Sequence, residues 1–208
     1  MKSLSILSLL ILIVTSSKSQ DAAKTNIRKT EITVGTFNTI SESGKVSINP
    51  VFLGYWGDYY FENRYNYEAP NSASINVGKR ILRNIKHVEI IPMAGLIFGS
   101  FKGLTAELQT SLDLKRWTLS MDNQYSLEYS KGGRSLYFNW AVARFKLTNA
   151  LRLGFTTFYD KEANKPGVFD KGATVAVIIK DWALRFYAFN FEIEKRYYWI
   201  GLRYTLKS

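Results

Sequence analysis

The most regular pattern in this chain is the alternation of apolar and polar residues in its last segment, residues 197–208. Every second side chain is aliphatic or aromatic, and the positions between them include Arg203 and Thr205. A period of two separates alternate residues onto opposite faces of a β-strand, whereas a helix would mix them. The segment therefore predicts a strand with one apolar face, formed by Tyr198, Ile200, Leu202, Tyr204 and Leu206.

The same alternation recurs along the chain in segments of about ten residues, separated by residues that favour turns. The segment 116–129 is the most regular, and the segments 103–114 and 59–68 repeat its pattern. We therefore predict an all-β chain of twelve strands, with ten as the alternative count. The predicted strands are 31–40, 46–54, 59–68, 72–81, 87–98, 103–114, 116–129, 135–147, 150–160, 171–180, 182–192 and 196–207.

Two of these segments depart from the pattern. Pro92 lies inside the segment 87–98, and proline within a sheet is typical of a bulge or an edge strand. The segment 173–179 is apolar on both faces.

Alternate predicted connections along the chain differ in length. An even number of strands places both termini at one end, so that connections alternate between the two ends of a barrel. Those at the end with the termini are short, whereas the others include 68–72, 130–134 and 160–170. Short turns at one end and longer loops at the other are typical of closed, antiparallel, up-and-down transmembrane β-barrels.

The N-terminus reads as a secretory signal peptide. Lys2 precedes an apolar run from Leu4 to Val14, and small residues at 17 and 19 predict cleavage between Ser19 and Gln20. That run falls short of the roughly 20 apolar residues that a spanning helix needs. We therefore predict a signal peptide at 1–19, a periplasmic lead-in at 20–30 and a barrel at 31–208.

The composition narrows the class further. The chain contains no cysteine, which excludes a lipid-anchored lipoprotein, a disulfide scaffold and thiolate metal sites. It contains 13 Tyr, 13 Phe and 5 Trp, although its mean hydropathy is only −0.13. Alternating lipid-facing and lumen-facing residues would produce such an average, but a soluble β-barrel would produce it too.

The contents of the two faces favour a barrel in a membrane. Tyr and Trp at the ends of an apolar band form the aromatic girdle of membrane barrels, and packing this aromatic volume inside a small barrel would be difficult. The predicted girdle comprises Tyr59, Tyr67, Trp117, Tyr129, Trp140, Tyr159, Trp182, Tyr198 and Tyr204.

The polar faces are then expected to line the lumen. They carry both charge signs, which suits either a lumen filled by salt bridges or a narrow polar channel. The predicted lumen residues are Glu62, Arg64, Glu107, Gln109, Asp122, Gln124, Glu128, Arg152, Arg185 and Arg203.

Candidate catalytic chemistry is sparse. The single histidine, His87, lies at a predicted periplasmic turn, where solvation is the simpler interpretation. Asp122 and Glu128 share a face but lie too far apart on one strand to act as an acid–base pair. No phosphate-binding loop, zinc spacing or calcium loop occurs, so we expect no cofactor or metal.

The net charge of +11 arises largely in the connections. At the outer end these lysines and arginines suit the phosphates of lipopolysaccharide, although simple solvation explains them equally well. We expect outer-membrane lipids and lipopolysaccharide as partners, and no nucleic acid.

The signal peptide, the alternating segments, the final strand and the stretch from Asn63 to Gly78 (NRYNYEAPNSASINVG) resemble small bacterial outer-membrane β-barrel proteins. The resemblance implies location in the outer membrane and insertion by the β-barrel assembly machinery, which reads the last strand. Such strands usually end on an aromatic residue, whereas this chain ends Leu206-Lys207-Ser208. The oligomeric state is not indicated.

The resulting functional hypothesis is a non-enzymatic outer-membrane barrel, either structural or a narrow pore for small solutes. An oligosaccharide-type porin is one alternative, but Glu62, Glu107, Asp122 and Glu128 count against its strongly basic lumen. A lipid-modifying enzyme would need a Ser–His pair at the outer rim, at the opposite end from His87. A soluble periplasmic lipid-binding barrel is the remaining alternative.

Overall fold

The computed structural model describes residues 30–82, 87–130, 132–191 and 195–207. The predicted signal peptide and all but the last residue of the predicted lead-in lie outside these ranges. Within the described residues, no helix is long and apolar enough to cross a membrane. The β segments are β1 (Thr30–Ser41), β2 (Val46–Ser47), β3 (Pro50–Trp56), β4 (Tyr59–Tyr65), β5 (Ser72–Lys79), β6 (Ile81–Leu82), β7 (Val88–Gly99), β8 (Gly103–Asp113), β9 (Trp117–Glu128), β10 (Ser135–Lys146), β11 (Leu151–Glu162), β12 (Val168–Ile179), β13 (Trp182–Phe189) and β14 (Tyr197–Lys207).

These segments form one closed sheet in which every neighbour is antiparallel. β2 and β3 both pair with β1, and β5 and β6 both pair with β7, so each couple forms a single interrupted strand. The twelve resulting strands follow each other around the barrel in chain order. The predicted all-β, up-and-down barrel of twelve strands is therefore confirmed.

The barrel closes where its first and last strands meet. β1 pairs with β14 in a continuous register that runs from Glu31 opposite Lys207 to Ser41 opposite Tyr197. Without this pairing, both strands would present unpaired N–H and C=O groups, which hydrocarbon cannot solvate. We refer to the end that holds Thr30 and Lys207 as the terminal end, and to the opposite end as the loop end.

Pro92 does not lie at a bulge or an edge, which corrects the expectation from the sequence. It lies inside β7 and pairs with Leu108 of β8 in regular register. On its other side the ladder stops after Gly78 opposite Met93 and resumes at Ile81. Because proline has no N–H to donate, the strand opposite is interrupted at Arg80 while β7 itself remains regular.

Some predicted boundaries also shift. β4 ends at Tyr65, so that residues 66–68 belong to the following loop rather than to the strand. β11 and β12 extend further than predicted, which shortens the connection between them to residues 163–167. At the terminal end, β3 and β4 are joined by a tight turn in which Gly57 adopts a φ of 60°, a conformation that glycine accepts without strain.

The two faces of the barrel wall have opposite polarity. Large apolar side chains are exposed on the outside, among them Phe155, which is 71% exposed, and Val77 and Leu206. Inward positions on the same sheet include Ser74, Asn76 and Gln124, all of which are buried. A soluble barrel has the reverse arrangement, so the exterior is that of a protein surrounded by lipid.

The pairing of β1 with β14 predicts that two cysteines introduced opposite each other on these strands will form a disulfide. The hydroxyl oxygens of Thr33 and Thr205 lie 2.9 Å apart across the closing seam. Because the chain contains no cysteine, Thr33→Cys with Thr205→Cys should form a single disulfide on oxidation of the folded barrel, detectable by non-reducing electrophoresis after denaturation. Thr33→Cys with Thr174→Cys is the control, and equal cross-linking of both pairs would contradict the seam.

Candidate functional site in the lumen

The lumen contains a buried ionic network centred on Arg64 of β4. Its guanidinium group pairs with the carboxylates of Glu62, at 2.7 Å, and of Glu107 on β8. Gln109 donates hydrogen bonds to both carboxylates, at 3.0 Å to Glu62 and 2.7 Å to Glu107. The hydroxyl of Tyr60 donates to Glu62 at 2.8 Å. One cation is therefore held between two acids, and neutral donors satisfy their remaining oxygens.

Small inward-facing residues make the contact between Arg64 and Glu107 possible. β5 and β7 lie between β4 and β8 in the sheet, and they contribute Ser74, Asn76 and Gly95 beneath Arg64. A Cβ atom at Gly95 would collide with the amide of Asn76. These short side chains allow the long Arg64 side chain to reach Glu107 across two intervening strands.

Towards the loop end, the same wall is filled by neutral polar side chains. Gln124 of β9 donates to Glu68 at 3.1 Å and to Ser126 at 2.9 Å. Ser126 in turn donates to Thr105 of β8 at 3.3 Å. Gln124, Ser126 and Thr105 are all buried, so this part of the lumen is packed rather than open.

An aromatic cluster fills the opposite wall at the same height. Trp199 lies at its centre, with ring-centroid distances of 5.0 Å to Phe37 and 4.7 Å to Phe189. Most contacts are edge-on or tilted, as aromatic rings prefer. We refer to this group as the lumen aromatic cluster; it comprises Phe37, Trp140, Phe158, Tyr187, Phe189, Tyr197 and Trp199.

Polar atoms of this cluster have partners. The indole N–H of Trp140 donates to Thr156 at 2.9 Å, and the hydroxyl of Tyr197 donates to Asp170 at 2.7 Å. Arg144 donates to the hydroxyl of Tyr187 at 2.5 Å.

Tyr67 connects the ionic network to the lumen aromatic cluster. Its ring lies 4.3 Å from the guanidinium carbon of Arg64 and 5.3 Å from the ring of Phe138. Phe138 stacks on Phe158, which contacts Trp199. A chain of contacts thus crosses the lumen from wall to wall, so that the half nearer the loop end is occupied by side chains.

The half nearer the terminal end contains a cavity of about 410 Å³, which we call the chamber. Four arginines on neighbouring strands line one side of it. Arg152 of β11 and Arg185 of β13 both lie beside Ala176 of β12, which is small enough to leave space between them. We refer to the four as the arginine wall: Arg144, Arg152, Arg185 and Arg203.

The arginine wall lacks matched acids. Within the part of the chain that the structure describes, none of its four side chains forms an ion pair with a carboxylate. Of the acids that line the chamber, Glu62 is bound by Arg64 and Glu89 by Arg80 at 3.5 Å. Glu31 and Asp122 lie on β1 and β9, next to the strands that carry Arg203 and Arg144. Among the described residues, the four arginines therefore lie together along one side of the chamber without an ion pair of their own.

The ten predicted lumen residues occupy three places. Glu107 and Gln124 are buried in the filled half, and Glu128 lies at the loop end, where it pairs with Arg134 at 3.2 Å. That hydrogen bond raises the pKa of Arg134. The remaining seven line the chamber: Glu62, Arg64, Gln109, Asp122, Arg152, Arg185 and Arg203.

Two predicted girdle residues are corrected by the structure. Tyr67 and Trp140 point into the lumen rather than towards lipid, because Tyr67 lies in a loop that folds inward and Trp140 shares its face with Arg144. The expectation that aromatic residues would be difficult to pack inside was also wrong. The other predicted girdle residues lie on the outer face near strand ends: Tyr59, Trp117, Tyr129, Tyr159, Trp182, Tyr198 and Tyr204.

Sequence reasoning missed Arg144 and most of the lumen aromatic cluster. A signal was present, because Trp140 and Arg144, Tyr187 and Arg185, and Trp199 and Arg203 are each separated by two or four residues and therefore share a face. An arginine at the middle of a membrane barrel faces the lumen, and its aromatic neighbours in the period of two must follow it.

The structure also places the candidates for catalysis. His87 is exposed at the terminal end, before β7. Asp122 lies in the chamber and Glu128 at the loop end, six residues apart on β9. Among the described residues, no three histidines or carboxylates are grouped so as to bind a metal ion.

These features define a class of fold, the closed twelve-stranded antiparallel barrel with an apolar exterior and a charged lumen. Similar solved structures include two porins. The NanC porin superimposes with a TM-score of 0.65 at 10% identity, covering 83% of this chain and 100% of its own. The KdgM porin superimposes with a TM-score of 0.59 at 10% identity, covering 83% of this chain and 98% of its own. No protein-family model and no curated protein matches the sequence.

The ionic network predicts a large cost for removing its cation. Arg64→Met leaves Glu62 and Glu107 buried without a counter-charge, and we expect it to lower the free energy of unfolding by about 3–5 kcal/mol. Glu107→Gln in the same chain should restore part of this loss. Equilibrium denaturation in detergent micelles measures both.

Arg134→Met is the matched control, because it breaks a pair at the loop end and should lower the free energy of unfolding far less than Arg64→Met. Equal losses for Arg64→Met and Arg134→Met would show that the network does not support the barrel.

Proposed function

We propose that this chain is a non-enzymatic integral protein of the bacterial outer membrane that acts as a narrow pore for small solutes. The chamber opens towards the periplasm in this proposal, and the filled half of the lumen is its closed gate. The apolar exterior and the porin-like fold support the membrane location.

The arginine wall is the observation that favours a pore over a purely structural barrel. A lumen that served only as a core would pair its charges, since an uncompensated charge away from water is strongly destabilising. Arg64 and its acids follow that rule, whereas Arg152, Arg185 and Arg203 do not. Guanidinium groups lining a cavity require water or anions, and both are what a solute pathway supplies.

The lumen aromatic cluster accounts for the narrowness. It occupies the space that a solute would cross on its way to the loop end, and its members come from five different strands. Passage would require the rings of residues such as Trp140 and Trp199 to change rotamer. We therefore propose a low-conductance pore with a preference for anions.

A second candidate is a porin for acidic oligosaccharides. One of the similar structures is the KdgM porin in complex with an oligogalacturonate. Arg144, Arg152, Arg185 and Arg203 give this chain a basic strip of its own, which favours the candidate. The chamber acids Glu62 and Asp122, and the closed aromatic half, favour small anions over chains of sugars.

The proposed location in the outer membrane implies further partners. Insertion would depend on the β-barrel assembly machinery, and the loop end would face lipopolysaccharide. The loop end bears lysines at positions such as Lys45, Lys102 and Lys161, which suit its phosphates.

Planar-bilayer recording of the full mature chain tests the proposal. We expect small, anion-selective currents for the wild type, read from the reversal potential in a salt gradient. Trp199→Ala should raise the conductance several-fold, because it removes the central ring of the lumen aromatic cluster. Arg185→Gln should reduce the anion selectivity without raising the conductance to the same degree.

Trp182→Ala and Arg134→Gln provide matched controls, since Trp182 faces outward and Arg134 lies in a loop. Both should leave current and selectivity unchanged. An absence of current in the wild type and in Trp199→Ala alike would support the structural role and contradict the pore.

A further inference from the structure

The outer wall of the barrel carries an apolar groove of about 510 Å³. Its floor is formed by Ala141 and Ala143 of β10, which alternate with the inward residues Val142 and Arg144 and therefore face outward. Its sides are formed by larger residues of the adjacent strands, among them Met121 of β9 and Phe155 of β11. The groove results from two alanines set among bulky neighbours.

The groove lies in the half of the wall nearer the terminal end. It extends across β8 at Leu112 to Val88 and Ile90 of β7, all of which lie near that end of their strands. In the orientation that we propose for the membrane, this depth corresponds to the periplasmic leaflet.

A basic cluster lies at the terminal end of the same strands. Lys115 and Arg116 form the β8–β9 turn. Lys146 ends β10 on the lumen-facing side, opposite Arg152. The backbone N–H of Lys146 donates to the carbonyl of Arg116 at 2.7 Å, which holds the two strand ends together. Asp113 is the one acid of this cluster, and it accepts a hydrogen bond from Thr118.

An aromatic pair separates the groove from the basic cluster. The rings of Trp117 and Phe145 lie 5.2 Å apart on the outer face, and the guanidinium carbon of Arg116 is 5.9 Å from the ring of Phe145. From the groove towards the terminal end, the wall therefore presents apolar, aromatic and cationic groups in that order. A phospholipid presents an acyl chain, an interfacial glycerol region and a phosphate in the same order.

We propose that this wall binds an anionic glycerophospholipid of the periplasmic leaflet. One acyl chain lies across Ala141 and Ala143, and the phosphate is bound by Lys115 and Arg116. The inference rests on the membrane orientation given above, but not on conduction through the lumen.

A second copy of the chain fits this wall less well. A symmetric contact buries the same patch of both copies, so the two basic clusters would come close to each other. Their like charges would repel, whereas a phosphate neutralises them and forms charge-assisted hydrogen bonds. The positive charge therefore favours the lipid over a second copy of the chain as the molecule that occupies the groove.

Native mass spectrometry of the full mature chain tests the proposal. The protein is released from mixed detergent micelles that contain phosphatidylglycerol and phosphatidylcholine with identical acyl chains. For the wild type we expect bound phosphatidylglycerol to exceed bound phosphatidylcholine. Ala143→Phe should lower the bound phosphatidylglycerol several-fold, and Lys115→Gln and Arg116→Gln together should abolish the preference.

Two controls match these variants. Ala106→Phe places the same ring on the outer wall of β8 away from the groove, and Lys45→Gln and Lys102→Gln together remove two charges at the loop end. Folding is checked by the heat-dependent shift of barrels in electrophoresis, and Ala141→Leu replaces Ala143→Phe if the latter fails to fold.

The proposal would be overturned by equal retention of the two lipids in the wild type, or by the same loss in the controls as in the groove variants. It would also be overturned by a dimer that disappears in Ala143→Phe while lipid binding is unchanged, because the groove would then belong to a second copy. The lipid experiment can fail while currents persist, so it is independent of the pore.

Discussion

The pairing of β1 with β14 is the constraint on which the rest of this structure depends. Hydrocarbon offers no partner to an open strand edge, so the sheet must close before it can be surrounded by lipid. Closure of twelve strands also fixes the size of the lumen, between the filled eight-stranded barrels and the open channels of larger porins. An interior of this size is too wide for the wall residues alone to fill with short side chains. Long arginines and aromatic rings occupy it instead, and their distribution determines which half of the lumen is closed.

The two halves of the lumen follow different physical rules. Where the chamber meets the filled half, Arg64 is held between Glu62 and Glu107, and Tyr67 continues the contacts to the lumen aromatic cluster. On the other side of the chamber the arginine wall borders the cavity, and among the described residues its side chains form no ion pair. The first arrangement stabilises a closed structure, and the second makes sense where water or anions reach the side chains. Exposed apolar residues around both halves place the boundary between protein and lipid on the outer face.

The architecture could be predicted from the sequence because each strand repeats the same two-residue alternation. An irregular segment changes the predicted fold little when the other segments share this pattern. The contents of the lumen could not be predicted, because alternation separates faces without identifying their surroundings. Trp140 was assigned to lipid by its chemistry alone, although Arg144 on the same face indicates the lumen. Tyr67 is misassigned because the predicted strand runs three residues beyond the end of β4, and a loop follows no alternation. The contact of Arg64 with Glu107 joins residues 43 positions apart, and no local pattern specifies such a pair.

The central claim is that the lumen is closed towards the loop end and accessible from the terminal end. Two serines on the same inward face of β9 test it directly: Ser120 lines the chamber, and Ser126 is 1% exposed in the filled half although it lies nearer the loop end. Each is replaced by cysteine in this cysteine-free chain, and the rate of reaction with a charged, water-soluble thiol reagent is measured in micelles. We expect rapid modification of Ser120→Cys and protection of Ser126→Cys. Equal rates, or faster modification of Ser126→Cys, would contradict it.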